Sequence, residues 1–414
     1  MTAAVGGKSH QDRLMVDIQP ADRDDWRRSA RAPDGPEATR IAGPSEPAGI
    51  GVTPLILLSM LMLLMLLMLP AMPYVILLVL PGVLLVGIWL YHLRWTIDTC
   101  DRIGTLGAGS AGHFSLEALA TCRTCDFTAA DGQLLRGSLV HHRSPGPRRG
   151  IVVFCHEFRG DRHSAAPYIT GLLERGFDVF SFDFRNHGQS SRMSGYDPRA
   201  WTTEHEVSDV LGAVAFVRSQ KDADPRGVAL MGLSRGGSAA LTAAGRCDGI
   251  WGVVTDGAFV SHWVTASTIR RFIPQFVPFA PLLVRLPWCL HCFYGAMIQS
   301  IVARRLGHTC INLAQEILAV HQPWFMIHGG RDSTVPVELA RRLRKLVPRR
   351  PRLWIVPAAN HNRSLRRASH RYHQRLCRFL ERHAKRPASR QARLTSGDRS
   401  LRLPAAAGSR AAVG

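Results

Sequence analysis

The stretch Gly232-Leu233-Ser234-Arg235-Gly236-Gly237 decides the fold of this 414-residue chain. It follows the β-type run Gly227–Met231 and precedes Ser238–Ala244, whose composition favours a helix. A Gly-x-Ser-x-Gly pattern between a strand and a helix is typical of a sharp turn that holds the serine oxygen above the edge of a parallel sheet. Ser234 is therefore the candidate nucleophile.

A serine hydroxyl becomes a good nucleophile only when a base takes its proton and a carboxylate orients that base. Asp332 and His361 each come just past the end of a β-type run, in the chain order Ser, Asp, His that this architecture uses. Asp256, past an earlier run, is the competing acid. We therefore predict Ser234, His361 and Asp332 as the catalytic residues.

Short apolar runs alternate with helical patterns from residue 122 onward, which predicts an α/β domain with a mostly parallel sheet. The segment from Cys125 to Val140 reads as an opening hairpin. Thr203 and Glu206 form a capping box at the start of one helix. Residues 258–322, rich in aromatic residues and prolines, are too long for an ordinary connection and predict an insertion, either a cap over a pocket or a hydrophobic lid that touches the membrane.

The region from about 122 to 383 resembles an α/β-hydrolase of the serine-hydrolase type, which includes monoacylglycerol lipase-like and prolyl-oligopeptidase-like enzymes. Besides the three candidate residues, Asp183–Ser190 is similar to the family's Asp-x-Arg-Gly-His-Gly-x-Ser loop. Val153–Gly160 is similar to the His-Gly-x oxyanion loop. The resemblance implies an α/β-hydrolase fold with a cap insertion.

The same resemblance implies that the backbone N–H groups of Phe158 and Arg235 form the oxyanion hole, with His156 and Glu157 in the oxyanion loop. Glu157 stands where the family usually has glycine, and Asn186 replaces another glycine. If the first glycine is needed for a positive φ, Glu157 would strain this loop.

Residues 47–91 contain no charged residue and no histidine, and a bilayer crossing needs about 20 residues. Pro70 and Pro73 interrupt the stretch, which predicts a transmembrane helical hairpin of roughly 50–69 and 74–92. One long tilted helix with a re-entrant piece is the alternative. Arginines flank both ends, which favours a catalytic domain on the cytoplasmic side.

The formal net charge of +21 first suggests a nucleic-acid or anionic-membrane partner. Residues 341–414 hold 21 basic and two acidic residues, so +19 of this charge lies in the last 74 residues. Aromatic side chains for stacking bases are few there, which favours anionic lipid over nucleic acid as the partner of these arginines. The coding bias of a GC-rich genome, which also produces many arginines, is the alternative explanation of this charge.

Together these features predict a membrane-anchored serine hydrolase that cleaves carboxylic ester or thioester bonds of small apolar acyl substrates through an acyl-enzyme, with no cofactor and no metal. A serine peptidase and a non-catalytic membrane-surface adaptor are the alternatives. The two Cys-x-x-Cys pairs, more than 160 residues apart, are interpreted as ordinary cysteines. The predicted divisions are a disordered arm (1–46), the membrane hairpin (47–92), a linker (93–121), the hydrolase domain (122–386) with its cap (258–322), and a disordered basic tail (387–414).

Overall fold

A computed structural model describes residues 52–68, 72–105, 115–117, 119–272, 274, 284–347 and 349–384. The predicted disordered arm and basic tail lie outside these residues. The chain separates into two units, within residues 1–79 and 80–414. The larger unit holds the predicted catalytic residues.

Strands in the described ranges form one eight-stranded sheet in the order β1-β2-β4-β3-β5-β6-β7-β8. Strand β2 is antiparallel to both of its neighbours, β1 and β4, and the other strand pairs are parallel, so the prediction of a mostly parallel α/β sheet opened by a hairpin is confirmed. Because six strands are parallel, their carboxyl ends meet at one edge of the sheet. The strands are β1 Cys122–Thr128, β2 Leu134–Val140, β3 Gly150–Cys155, β4 Phe177–Phe182, β5 Val228–Leu233, β6 Ile250–Asp256, β7 Trp324–Gly329 and β8 Arg352–Val356.

Helices connect the parallel strands and cover both faces of the sheet. The helices are α1 Val52–Met68, α2 Met72–Thr105, α3 Ala166–Leu173, α4 Glu204–Arg218, α5 Arg235–Arg246, α6 Ser261–Phe272, α7 Trp288–Arg305, α8 Leu313–Glu316, α9 Val337–Leu346, α10 Ser364–Arg367 and α11 Ser369–Ala384. Side chains of α4, α5 and α9 pack in the core of one face, and those of α3 and α11 pack in the core of the other. Strands β3 to β7 are therefore buried along their whole length and mostly apolar, as expected for strands covered on both faces.

Local sequence explains how the helices begin. Thr203 accepts a hydrogen bond from the His205 N–H, and Glu206 accepts one from the Thr203 N–H, so the predicted capping box of α4 is confirmed. Two helices follow one another after β8: Leu365 lies on the short α10, while Tyr372 and Leu376 lie buried on α11. The N–H of Tyr372 still bonds to the carbonyl of Ala368 between them.

The uncharged N-terminal stretch forms helices close to the predicted positions, but α2 continues to Thr105 instead of ending near residue 92. None of the helices in the described ranges is both long enough and apolar enough to cross a bilayer. Helix α1 has 17 residues, fewer than the about 20 that a crossing needs. Helix α2 contains Pro81 within its apolar part and charged residues in its second half. The predicted transmembrane hairpin of residues 47–92 therefore has no counterpart among these helices.

The insertion between β6 and β7 contains α6 and α7, which pack against each other along most of their length. Gly295 of α7 allows this close approach, because a side chain there would lie 2.6 Å from the carbonyl oxygen of His262. Ile97 of α2 is buried against Ile269 and Ile298 of this pair. The insertion is thus a helical layer fixed to the second half of α2.

Candidate active site

Ser234 lies in the turn between β5 and α5, with φ 49° and ψ −119°. This left-handed conformation is strained for a residue with a side chain, and such strain concentrates at functional sites. The Ser234 N–H donates a hydrogen bond to the carbonyl of Asp256 at 2.8 Å, which ties the turn to the end of β6. The turn therefore holds the hydroxyl at the carboxyl edge of the sheet.

The glycines around Ser234 are required by close backbone contacts. A side chain on Gly232 would lie 2.5 Å from the carbonyl oxygen of Gly236, across the turn. A side chain on Gly236 would collide with the carbonyl oxygens of Cys155 and His156 at the end of β3. These contacts let α5 begin directly against the sheet, which gives the sharp turn that the sequence pattern predicts.

The structure brings the three predicted catalytic side chains into one hydrogen-bonded line. The Ser234 Oγ lies 2.8 Å from the Nε2 of His361, and the Nδ1 of His361 lies 2.7 Å from the Oδ2 of Asp332. Because a carboxylate only accepts hydrogen bonds, the histidine proton lies on Nδ1, and Nε2 is free to accept the proton of Ser234. This arrangement has the form of a nucleophile, a base and an orienting carboxylate.

Asp332 is held by its own loop after β7. Its Oδ1 accepts hydrogen bonds from the N–H groups of Thr334 (3.0 Å) and Val335 (2.7 Å), which leaves Oδ2 for His361. The loop is held in turn by His328 of β7, whose Nε2 donates to the Val335 carbonyl at 2.8 Å. Burial lowers the pKa of His328, so its ring is neutral and supports this loop as a hydrogen-bond donor. No sequence pattern indicates this supporting role of His328.

The competing acid, Asp256, does not bond to the histidine. Its Oδ1 accepts a hydrogen bond from the Ser364 hydroxyl at 3.0 Å, and its carboxylate is almost fully buried below the turn of Ser234. Burial raises the pKa of Asp256 to about 6. The geometry therefore pairs His361 with Asp332 and leaves Asp256 as a buried structural carboxyl.

His156, the first residue of the candidate oxyanion loop, is completely buried and holds the loop by hydrogen bonds. Its Nδ1 donates to the carbonyl of Glu157 at 2.6 Å, and its Nε2 accepts from the Phe184 N–H at 3.1 Å. Burial is the largest cause that holds the pKa of His156 well below its usual range, so the ring stays neutral. Its two hydrogen bonds join the ends of β3 and β4.

Glu157 does not strain the loop as its replacement of glycine suggested. The positive φ of this segment is at Arg159 (61°) and not at Glu157. Asn186, the other replacement, does adopt a positive φ (59°), which asparagine tolerates, and the Met193 N–H donates to its side chain at 2.7 Å. The expectation of strain at Glu157 is therefore wrong, because its neighbour Arg159 makes the turn.

The side chain of Glu157 is buried beside the candidate site. Its Oε1 lies 3.5 Å from the Ser164 hydroxyl, and its Oε2 has no hydrogen-bond partner among the described residues. Burial raises the pKa of this carboxyl, and the nearby charge of His361 opposes the shift. The residue thus adds an acidic group close to the base.

The two backbone N–H groups implied by the resemblance lie on the loops that flank Ser234. Arg235 is the first residue of α5, where N–H groups have no acceptor within the helix. Phe158 follows His156 and Glu157 in the candidate oxyanion loop, and the centre of its ring lies 5.1 Å from the Arg235 guanidinium. Neither N–H donates a hydrogen bond within the described part of the chain. Both groups are therefore free to bind an oxyanion.

The Arg235 side chain is fully buried and has a structural role that the sequence pattern does not indicate. Its guanidinium donates to the Arg199 carbonyl (2.9 Å), lies 3.4 Å from a carboxylate oxygen of Glu206, and lies 3.2 Å from the Nε2 of His187. Glu206 also accepts hydrogen bonds from Tyr196 and from the capping-box threonine. The residue after the nucleophile thus anchors its turn to α4.

The loop after β4 is held by two buried arginine–carboxylate contacts. Asp183 accepts from the backbone N–H and the guanidinium of Arg162, both at 2.6 Å. Arg185 donates to Asp209 at 2.9 and 2.6 Å. A side chain on Gly188 would collide with the Asp183 carboxylate. These residues of the family-like loop therefore support the site and do not reach the reacting groups.

The helical insertion lies beside the loop of Asp332. Phe259 packs with Val335 and Leu339, and Trp263 and Trp288 complete this apolar cluster. The buried Ser238 of α5 bonds to both backbone groups of Phe259. The insertion thus presents apolar side chains next to the candidate site.

Comparisons with known proteins agree with this architecture. A family model described as the alpha/beta hydrolase family matches residues 152–375. The uncharacterized protein YfhR of Escherichia coli (strain K12) is 27% identical over 246 residues, which cover 58% of this chain and 74% of that protein. The thiohydrolase aneE of Aspergillus aculeatus is 33% identical over 122 residues, which cover 29% of this chain and 36% of that protein. The solved Pyrococcus furiosus esterase Pf2001 has a similar fold, with a TM-score of 0.52 and 22% identity over 68% of this chain and 98% of that one.

Proposed function

Because the chain belongs to the α/β-hydrolase family, as the match over residues 152–375 shows, we propose that it is a serine hydrolase that cleaves carboxylic ester bonds of apolar acyl substrates. One observation carries the proposal: the hydrogen-bonded line from Ser234 through His361 to Asp332, with distances of 2.8 and 2.7 Å. A serine whose hydroxyl is hydrogen-bonded to an oriented base in this way is activated for attack on an acyl substrate.

In the acylation step the Ser234 oxygen attacks the ester carbonyl carbon while the Nε2 of His361 takes the hydroxyl proton. The carbonyl oxygen becomes an oxyanion, which the N–H groups of Phe158 and Arg235 stabilise. Losing one such donor typically costs about 3–4 kcal/mol of transition-state stabilisation. The bond to the leaving alcohol then breaks, and the protonated His361 returns the proton to the alcohol oxygen.

In the deacylation step a water molecule attacks the acyl-enzyme carbonyl, and His361 takes one proton from it. The same backbone N–H groups stabilise the second oxyanion. The bond between the acyl carbon and the Ser234 oxygen breaks, His361 returns the proton to that oxygen, and the carboxylic acid leaves. Asp332 stabilises the positive histidine in both steps and keeps its charge throughout.

The apolar acyl class is proposed from the insertion beside the site. Phe259, Trp263 and Trp288 lie next to the Asp332 loop, and on α7 Leu290 and Phe293 are 49% and 70% exposed. Exposed apolar side chains of this size mark binding surfaces for apolar groups. The name of the Aspergillus relative, a thiohydrolase, favours thioesters as a second substrate class.

A fluorophosphonate probe tests the proposal, because it reacts with an activated serine. We expect labelling of the wild-type protein and of Ser219→Ala, which removes an exposed serine from the end of α4. Ser234→Ala should not be labelled. Labelling retained in Ser234→Ala contradicts the proposed nucleophile. No labelling of the wild type contradicts the serine-hydrolase proposal and favours the non-catalytic adaptor.

A matched substrate panel separates the enzyme classes. Acyl esters and thioesters of short and long chain should be hydrolysed, with kcat/KM rising with chain length as more apolar surface is buried, by about 0.8 kcal/mol for each methylene. Aminoacyl amides of the same size should be poor substrates. Preference for the amides contradicts the esterase proposal and favours the peptidase alternative.

We further propose that the enzyme works at a lipid bilayer with its catalytic domain on the cytoplasmic side. The apolar side chains of α1 are exposed along the helix, for example Leu57 (74%) and Met65 (68%), and those of the first part of α2 are similarly exposed, for example Leu77 (71%). Such a surface needs an apolar partner. The eight cysteines whose side chains the structure describes are free, as expected in a reducing compartment.

Fractionation of cells that express the full chain tests this location. We expect the wild type in the membrane fraction and the double variant Leu57→Asp/Leu77→Asp in the soluble fraction with its esterase activity retained. A wild-type protein found in the soluble fraction contradicts the proposal. Protease added to intact spheroplasts should leave the catalytic domain intact, and cleavage there would contradict the cytoplasmic side.

A further inference from the structure

A cavity of about 110 Å³ lies between β8 and α11, away from the candidate active site. Arg352 is the first residue of β8 and Phe325 the second of β7, so the cavity lies at the amino ends of these strands. Ser234 and His361 lie beyond the carboxyl ends, at the opposite edge of the sheet. The residues that line the cavity are Phe325, Arg352, Gln374, Arg375, Arg378 and Phe379.

The charge of this cavity is not neutralised within the described part of the chain. Three of the lining residues are arginines, and none is acidic. Within the described ranges, none of these three arginines forms an ion pair with a carboxylate. Glu381, the acidic residue of α11, pairs instead with Arg149 (3.3 Å) and Arg175 (3.4 Å).

The positive charges around Arg375 disfavour its own charged form. Burial, followed by the charges of Arg352, Arg371 and Arg378, lowers the pKa of Arg375. A protein gains nothing from holding like charges together in the absence of an anion, since such pairs destabilise the fold. The arrangement is therefore one that an anion would stabilise.

One guanidinium is already held in position. The Arg375 guanidinium lies 4.7 Å from the ring centre of Trp354, a half-buried residue of the edge strand β8. Arg375 and Arg378 are three residues apart on α11, so their side chains emerge on the same side of the helix. Stacking on an aromatic ring leaves the edge of the guanidinium, with its N–H groups, available to a ligand.

We propose that Arg352, Arg375 and Arg378 form a binding site for a phosphoryl group, with the side-chain amide of Gln374 as a fourth donor. Planar guanidinium forks match the oxygens of phosphate, and several forks around one cavity favour an anion with three or four oxygens over a carboxylate with two. The ligand class is a phosphomonoester or phosphodiester, either in a lipid headgroup or in a soluble molecule. The site does not depend on the proposed hydrolase function, because it shares no residue with the catalytic groups.

Phosphate binding by the full chain tests the site. The thermal unfolding midpoint is measured with inorganic phosphate against chloride at equal ionic strength, and the dissociation constant is measured by calorimetry. Wild-type protein should be stabilised by phosphate. Arg375→Gln and Arg378→Gln should each bind phosphate about tenfold or more weakly, as expected for loss of a hydrogen bond to a charged group.

Two controls distinguish phosphate binding at this cavity from nonspecific attraction of phosphate to a positively charged surface. Arg192→Gln removes an equally positive exposed side chain elsewhere on the domain and should bind phosphate like the wild type. Arg375→Lys keeps the charge but loses the planar fork, and should bind more weakly than the wild type. Equal stabilisation by chloride, or equal loss of binding in Arg192→Gln and Arg375→Gln, would overturn the proposal. Ester hydrolysis should be unchanged in all four variants, so failure of the phosphate site is distinguishable from failure of the catalytic proposal.

Flotation with vesicles identifies the source of the phosphoryl group. Both proteins carry Leu57→Asp/Leu77→Asp, which removes the proposed apolar contact with the bilayer. In this background, the parent and Arg375→Gln are compared on vesicles of phosphatidylcholine alone and with phosphatidylglycerol. A loss of binding to the phosphatidylglycerol vesicles in Arg375→Gln, together with lost phosphate binding, supports a lipid headgroup. Unchanged flotation with lost phosphate binding supports a soluble phosphate ester. Unchanged flotation with unchanged phosphate binding overturns the site.

Discussion

Replacing Asp332 by asparagine should inactivate the enzyme by reversing the tautomer of His361. The Oδ1 of Asp332 accepts the N–H groups of Thr334 and Val335 at 3.0 and 2.7 Å. An asparagine has one acceptor oxygen, which these two N–H groups would hold, so its NH₂ group would face the Nδ1 of His361. That nitrogen would then have to accept, which moves the proton to Nε2 and removes the base from Ser234.

The magnitude follows from this loss of the base. A carboxylate-to-amide change at an equivalent position in a serine protease lowers kcat by about 10⁴, which is about 5.5 kcal/mol at 1.36 kcal/mol for each tenfold change. We expect a similar loss in Asp332→Asn, because the distance of 2.7 Å between His361 and Asp332 indicates a full hydrogen bond. The variant should fold, since the amide is isosteric with the carboxylate.

The assay is kcat/KM for a p-nitrophenyl acyl ester, measured beside the rate of fluorophosphonate labelling. Asp256→Asn is the matched control, because Asp256 is a buried carboxyl that bonds to Ser364 and not to His361. We expect less than a tenfold change in this control. A loss of about 10³ or more in Asp256→Asn, with Asp332→Asn within tenfold of the wild type, would refute the assignment of the acid. Circular dichroism and the unfolding midpoint of both variants exclude a loss caused by unfolding.

Three stability predictions follow from the groups around the turn. Burial raises the pKa of Asp256 from 3.8 to about 6 on folding, so the folded state binds the proton more tightly than the unfolded state does. The free energy of unfolding should therefore fall by about 3 kcal/mol as the pH rises through this interval. Urea unfolding of the wild type and of Asp256→Asn should diverge there, and parallel pH profiles would contradict the shift. Gly236→Ala should lower the free energy of unfolding by about 3 kcal/mol or more, because the new methyl group would collide with backbone carbonyls at the end of β3. A loss below about 1 kcal/mol in the same assay would contradict this close packing. Glu206→Gln should lower the free energy of unfolding by about 3–5 kcal/mol, because it leaves the Arg235 guanidinium buried without its counter-charge. An unfolding midpoint equal to that of the wild type would show that the ion pair does not stabilise the fold.

Features set by short stretches of the chain could be predicted from the sequence. The strand and helix around Ser234, the hairpin of β1 and β2 and the capping box of α4 each depend on neighbouring residues, so their patterns are readable. The order of Ser234, Asp332 and His361 past three strand ends was enough to predict that they meet, because a parallel sheet brings those ends to one edge. Membership of the α/β-hydrolase family agrees with this reading.

Features that depend on backbone shape between distant segments could not be predicted. The sequence shows that Glu157 replaces a glycine, but not that Arg159 takes the positive φ of the loop. It shows a long apolar stretch before residue 92, but not that α2 continues to Thr105 and packs Ile97 against α6 and α7. In both places the backbone conformation depends on the surrounding fold, which the local sequence pattern does not show.

The ion pair of Arg235 and Glu206 shows how one predicted role of a residue can hide a second role. Glu206 had a sufficient role as the capping-box partner of Thr203, and Arg235 had one as a backbone donor beside the nucleophile. The backbone role of Arg235 and the capping role of Glu206 do not indicate that the two side chains meet at 3.4 Å. The contact anchors the turn of Ser234 to α4, and we expect it to hold the Arg235 N–H in place as the proposed oxyanion donor. Glu206→Gln should therefore slow labelling of Ser234 by a fluorophosphonate as well as lower stability, and an unchanged labelling rate would contradict this coupling.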